Sequence, residues 1–196
     1  MTLDPALILH HVAMHISLSS EERDFFISLL QYKSVNRRQF LLKEGEVCKH
    51  SSFVNQGLLR GYTIDTNGFE HVLNFAPPGW WIGDMASLIT QKPGVLYVQA
   101  LEDTKVIQLS KSNQEVLCTR VPKFERFFRI LTENSLVSSY RRLTDTVSLT
   151  AEERYLNFCR KYPMLVQTLP QKQIASYLGI TPEFLSKMKR SLLKKK

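Results

Sequence analysis

Near the carboxyl-terminal end of the sequence, Glu183, Ser186, Lys187 and Arg190 recur at i, i+3, i+4 and i+7, the interval that places side chains on one face of an α-helix. Leu185, Met188 and Leu192 fall on another face of the same helix. One side is apolar enough to be held by the rest of its domain, while the other presents a carboxylate, a hydroxyl and two cations. Such groups suit the recognition of paired bases: a carboxylate accepts from the cytosine amino group, and ammonium or guanidinium groups donate to guanine or to phosphate. Catalysis is a poorer match, because no Ser-His-Asp, Cys-His or paired-carboxylate arrangement can be assembled from local motifs.

Recognition of this kind needs the helix held firmly across a partner helix. Ile174, Ala175 and Leu178 share a face of a first short helix, with Ala175 small where a second helix must cross closely. Gly179 supplies the left-handed residue that ends it, Ile180 plugs the corner, Thr181 is a natural N-cap, and Pro182 fits the first helical position of the second. The spacing predicts a helix-turn-helix within residues 169–193, its second helix covering residues 182–193. A helix with one anchored face and one polar, mostly basic face is what lying in the DNA major groove requires. A basic helical hairpin with a solvated face is the blander reading.

The charge distribution favours the first. The 196 residues carry a formal net charge of +8, and residues 146–196 hold ten basic groups against three acidic ones, leaving the remainder nearly neutral. An excess confined to the last quarter marks a polyanion-facing module joined to a nearly neutral one. Apolar residues at 43% and charged residues at 22% are ordinary for a soluble globular protein, and the length implies one or two domains. Pro5 to Ser20 lacks Asp, Glu, Lys and Arg but holds His10, His11 and His15, and it reads as neither a spanning helix nor a signal peptide, so a cytoplasmic location is expected. His11 and His15 stand at i, i+4 without a carboxylate or thiolate at metal-binding spacing, and Cys48, Cys118 and Cys159 are too scattered to form a tight metal or redox pair. No metal site is expected.

Upstream, Ser19-Ser20-Glu21-Glu22 has the spacing of a capping box, predicting a helix to about Gln31 with Phe25, Phe26, Leu29 and Leu30 on its buried side. From Val35 to Ser110, strand-like runs (39–42, 52–54, 58–64, 71–75, 97–100 and 105–109) are punctuated by Gly45, Gly57, Gly68 and Gly79, several in turn contexts that need positive φ. They predict a small antiparallel sandwich or barrel. Pro122 then opens an unbroken helical stretch to about Val147, roughly 39 Å long at ~1.5 Å per residue. Phe124, Phe128 and Leu131 form one stripe for the barrel, and Leu136, Tyr140, Leu143 and Val147 a second that is suited to pairing with another helix. Thr150-Ala151-Glu152-Glu153 is a further capping box, which places the domain boundary and a hinge at Ser148.

With these motifs assembled, nearly the whole chain resembles the Crp/Fnr family of bacterial transcription regulators. The resemblance is carried by the carboxyl-terminal hairpin, the glycine ladder and Trp81-Ile82-Gly83-Asp84-Met85, a segment that in the family leads into the phosphate-binding cassette of an effector pocket. It implies an α+β fold: an amino-terminal antiparallel, jelly-roll-like β-roll of cyclic-nucleotide-binding type with flanking helices and a long dimerisation helix (residues 1–147), then a helix-turn-helix domain (residues 148–196). By the same resemblance Glu183 and Lys187 match base-contacting positions and Gln171 one near the start of the preceding helix. With Lys172, Ser186 and Arg190 they make up the implied DNA-binding set. Gly83, Asp84, Met85, Gly94, Val95 and Tyr97 make up the implied effector pocket.

That pocket departs from the cyclic-AMP pattern. Burying a cyclic phosphate calls for a guanidinium with hydroxyl or amide donors, and cyclic-AMP-binding members carry Arg-Ser or Arg-Thr ahead of a downstream alanine. Matching Gly83 and Ala100 without a gap puts Gly94 and Val95 there, with only Lys92 nearby, and Asp84 is one methylene shorter than the usual glutamate. The pocket is therefore expected not to be tuned to cyclic AMP; Trp80, Trp81, Leu96 and Tyr97 point to an apolar or aromatic effector, or to none. The cysteine cluster of the iron-sulfur branch is missing.

The resemblance implies a homodimeric, sequence-specific DNA-binding regulator, with double-stranded DNA, a second copy of the chain and RNA polymerase as partners. It implies no membrane association, enzyme activity or required cofactor. A cyclic-nucleotide-responsive regulator and a ligand sensor acting through protein contacts remain as alternatives. Family members often continue into a short β-wing, whereas Lys194, Lys195 and Lys196 close this sequence and are expected to touch phosphate without reading bases. Neutralising those three lysines should weaken binding to all duplexes alike and flatten the slope of log affinity against log salt by ~0.9 per lost phosphate contact. Titrating a fluorescent duplex at several salt concentrations measures both; a change confined to sequence preference would assign the tail a different role.

Overall fold

The computed structural model describes residues 4–194, and side chains as far as Leu192. Packing divides the chain into two units. The first comprises the residues up to Thr63 with Leu73–Thr132, and the second Ile64–Val72 with the residues from Glu133 onward.

In the first unit, α1 (Ala6–Ala13) and α2 (Ser20–Ser28) precede the strands. The capping box at Ser19 and Glu22 is formed, but α2 stops at Ser28 and residues 31–35 go into a strand. Two four-stranded antiparallel sheets follow. One has the order β1 (Gln31–Val35), β8 (Thr104–Ser110), β3 (His50–Gln56), β6 (Trp81–Ile82). The other has the order β2 (Phe40–Leu42), β7 (Tyr97–Ala100), β4 (Leu59–Ile64), β5 (Glu70–Ala76). Strand alternation sends Val35, Val54 and Val106 of the first sheet and Leu59 and Val98 of the second into one apolar cluster. The opposite side chains of the first sheet, Phe53, Ile107 and Leu109, join Ile8, Val12 and Phe26 with Phe124 and Phe127 of α5 (Lys123–Ser148) in a second. Short helices α3 (Met85–Thr90) and α4 (Lys111–Arg120) complete the roll. His11 lies among Phe53, Trp81 and Phe127, with ring centroids 5.5–6.5 Å apart; burial, helped by His15 and His10, lowers its pKa, as expected for a core histidine.

The helix predicted from Pro122 is α5, 26 residues long. Leu136, Tyr140, Leu143 and Val147 are 61–79% exposed along its second half. Packing alone therefore divides the chain inside α5, whereas the helix itself ends at Ser148, where a new cap begins. The second unit continues with α6 (Ala151–Lys161), capped at Thr150 and Glu153 as the sequence indicates, α7 (Leu165–Thr168), α8 (Gln171–Leu178) and α9 (Pro182–Lys194). Its core is aromatic at Tyr155, Phe158 and Tyr162 and aliphatic at Ile174, Leu178 and Leu185. No helix among the described residues is long and apolar enough to cross a membrane.

The four ladder glycines all have positive φ, and at Gly57 space adds a second constraint: with φ +89°, a Cβ there would stand 2.6 Å from the Asp103 carbonyl oxygen. Both the left-handed backbone and the close approach exclude a side chain. Gly57→Ala should cost at least ~2 kcal/mol of folding stability, measured by urea denaturation.

Candidate nucleic-acid interface and effector pocket

The carboxyl-terminal hairpin is built by local chemistry. Gly179 adopts φ +68° and ends α8, and the Ile180 N–H donates to the Ala175 carbonyl at 3.1 Å across the turn. Thr181 Oγ1 then accepts from the Phe184 N–H at 3.2 Å, opening α9 at Pro182. Ala175 is fully buried where the two helices pack, and Leu185 and Met188 are buried from the α9 side. Glu183, Lys187 and Arg190 are exposed, and Ser186 is half-buried, donating through its hydroxyl to Gln171 Oε1 at 2.7 Å. Gln171 and Lys172 are exposed at the start of α8. The six residues thus occupy two neighbouring helices, and Ser186 and Gln171 meet directly. Lys195 and Lys196, with the side chain of Lys194, lie outside the described residues.

Sequence reasoning missed Arg142 and Ser176. Within the second unit the Ser176 hydroxyl, on α8, donates to the Glu70 carbonyl and accepts from the Val72 N–H. Arg142 of α5 donates through Nη2 to the carbonyls of Val72 and Tyr177, at 2.8 and 3.1 Å, and stacks on the Tyr177 ring. These bonds tie α8 to α5 and to residues 70–72. Arg142 sits beside Leu143 in a helix rich in arginine, and Ser176 is one serine of many, so their spacing carries no signal.

In the first unit Asp84, Gly94 and Val95 come together around one carboxylate. Asp84 is 7% exposed; its Oδ1 accepts from the Ser87 N–H at 3.0 Å, and its Oδ2 from the N–H groups of Val95 and Leu96 at 3.2 and 3.3 Å. A Cβ on Gly94 would overlap Oδ2, so glycine there is what admits the carboxylate. Gly83 lies next to Cys48 and His50, Met85 is exposed, and Tyr97 stacks on Tyr62 with centroids 5.2 Å apart. Two of the four residues that pointed to an apolar or aromatic effector are engaged in packing. Trp81 packs against Phe53 and the helix-side cluster, and Leu96 belongs to the core between the sheets. Each is used to fold the roll.

The cysteines are separate. Burial raises the Cys48 thiol pKa, and burial with the nearby Glu125 pushes Cys118 up to about 11. Among the described residues no group of three or more His, Cys, Asp or Glu side chains is placed to hold a metal ion.

The first unit is thus a two-sheet β-roll, and the second ends in a helix-turn-helix. Residues 32–120 match the cyclic nucleotide-binding domain family. The anaerobic regulatory protein of Pasteurella multocida is 25% identical over 184 residues, covering 88% of this chain and 67% of that protein. Among solved structures, FixK2 from Bradyrhizobium japonicum superposes with a TM-score of 0.73 at 20% identity, covering 85% of each chain. The catabolite activator protein of Thermus thermophilus gives 0.58 at 22% identity, covering 91% of this chain and 85% of that one. In sequence and in fold the chain is thus similar to regulatory proteins of the Crp/Fnr type.

Asp84→Ala would leave three main-chain donors without their charged acceptor. Such a loss is expected to lower stability by about 2–3 kcal/mol in urea denaturation, with Asp84→Asn costing less because one acceptor oxygen remains.

Proposed function

We propose that the protein is a homodimeric regulator that binds DNA sequence-specifically, with α9 in the major groove. The observation that carries this is the division of α9, which buries Leu185 and Met188 and leaves Glu183, Lys187 and Arg190 exposed. Glu183 would accept from a cytosine amino group, Lys187 would donate to guanine, and Arg190 would reach guanine or phosphate. Gln171, Lys172 and Ser186 flank them and would fix the approach of the backbone. The exposed stripe Leu136, Tyr140, Leu143 and Val147 supports pairing of two α5 helices, since contiguous large apolar side chains on a helix mark a partner surface. A two-fold pair would set its recognition helices in successive major grooves, about 34 Å apart, on a pseudo-palindromic site. Residues 1–147 would then serve as the dimerising module and 148–196 as the DNA-binding one, in the cytoplasm, with RNA polymerase as a further partner.

The cassette region does not fit a cyclic nucleotide. Its donors at Ser87, Val95 and Leu96 already bind the Asp84 carboxylate, and a phosphate brought to them would meet that negative charge with no guanidinium at Gly94 or Val95. We therefore favour a regulator that does not answer to cyclic AMP.

Selection of bound fragments from genomic DNA with the purified protein should return a two-fold symmetric motif. Lys187→Ala should relax discrimination at one position of each half-site by about 1–3 kcal/mol, measured by competition against single-base variants. Uniform weakening across all sequences, or a motif without symmetry, would overturn the assignment.

A further inference from the structure

The inward face of a two-sheet roll is normally apolar, because its side chains leave water on folding. At one end of the first sheet that pattern breaks on three adjacent strands. Lys33 on β1, Gln108 on β8, and His50 and Ser52 on β3 share the face of the core residues Val35, Val106 and Val54, two residues or a multiple of two away along each strand. Over them lies a cavity of about 470 Å³, lined from the second sheet by Leu42 and Val98, with Lys49 also contributing to it. That volume is in the range of small-molecule sites.

The chemistry of the lining is specific. Ser52 and Gln108 are 2% and 8% exposed, and the Gln108 amide donates to the Ser52 hydroxyl at 3.0 Å, giving the cavity a built polar wall. Lys33, Lys49 and His50 supply cationic or proton-donating nitrogens. The acid in the lining, Glu46, accepts from the Lys43 main-chain N–H at 2.8 Å. We propose that this cavity binds a small dianion bearing carboxylate or phosphate groups, held by Lys33 and Lys49 with Ser52 and Gln108 as hydrogen-bonding groups. It stands apart from the Asp84 cassette: Gly83 lines this cavity, whereas the Asp84 carboxylate is bonded to Ser87, Val95 and Leu96. The site lies wholly in the first unit and is independent of the DNA-binding reading.

The field at the cavity has a built-in reporter. Burial, then the charges of Lys33 and Lys49, hold the His50 imidazole below its ordinary pKa. A dianion seated between the lysines reverses the electrostatic part of that effect, so binding favours the imidazolium.

The test follows the histidine ring resonances of the full chain by NMR across pH, with His50 assigned from a His50→Gln sample. Sodium sulfate, a tetrahedral dianion throughout the titration, and sodium succinate, a dicarboxylate, are each compared with sodium chloride at matched ionic strength, because salt alone screens the lysines. The expected result is a saturable rise of the His50 midpoint beyond that in chloride. That increment should be lost in Lys33→Gln/Lys49→Gln, whose exposed positions leave the fold and the other histidine signals intact. The anion giving the larger rise identifies the ligand class, and equal rises support a dianion site without preference. Rises matching chloride for both anions, or an increment that survives in the double variant, would overturn the proposal.

Discussion

The close crossing of α8 and α9 is the constraint on which the rest of the second unit depends. Leu185 and Ala175 are fully buried and Ile174 nearly so, which fixes which side of α9 faces inward. A fully buried leucine contributes about 1.5–3 kcal/mol by leaving water, whereas Lys187 or Arg190 in its place would pay a far larger desolvation cost. The polar face is outward because the alternative orientation is electrostatically prohibited. Gly179 makes this crossing possible by reversing the chain in a left-handed conformation that a side chain would strain. Arg142 and Ser176 add directionality that apolar packing lacks, since their hydrogen bonds to the carbonyls of Val72, Tyr177 and Glu70 hold for one placement of α8.

The first unit solves a different problem with the same economy. A loop that leads main-chain N–H groups toward one point needs an anion there, and the chain supplies its own in Asp84. The shorter aspartate and the bare Gly94 act together: the carboxylate reaches the donors, and glycine leaves room for it. Other surfaces of the roll stay open to a ligand, which would shift a balance between two states only by binding them unequally. The polar inner end of the first sheet is one such surface.

Much of this organisation was legible from local pattern. The capping boxes at Ser19 and Thr150, the positive-φ glycines, the long helix and the hairpin are decided within a few residues of sequence, so their signals are short-range and survive without tertiary information. Elements whose stability is supplied by distant partners were less visible. β1 has four exposed residues out of five and no alternation of its own, and it exists because it pairs with β8. β6 is two residues long and is a strand only through β3. Trp81 and Leu96 illustrate the same limit: an aromatic or aliphatic residue beside a pocket motif reads as a ligand contact until the packing shows it filling a core.

The sequence by itself determined the order of the modules, the capped starts of α2 and α6, the extent of α5, the turn between α8 and α9 and the split character of α9, because each follows from side-chain periodicity, capping and backbone conformation. Only the tertiary structure decided that Asp84 occupies the donors at Val95 and Leu96, that Ser176 and Arg142 hold α8, and that Lys33, His50, Ser52 and Gln108 border one cavity. The hydrogen-bonded partners among them lie 11 to 106 residues apart in the chain, and chain closure, strand register and packing bring them within reach of one another.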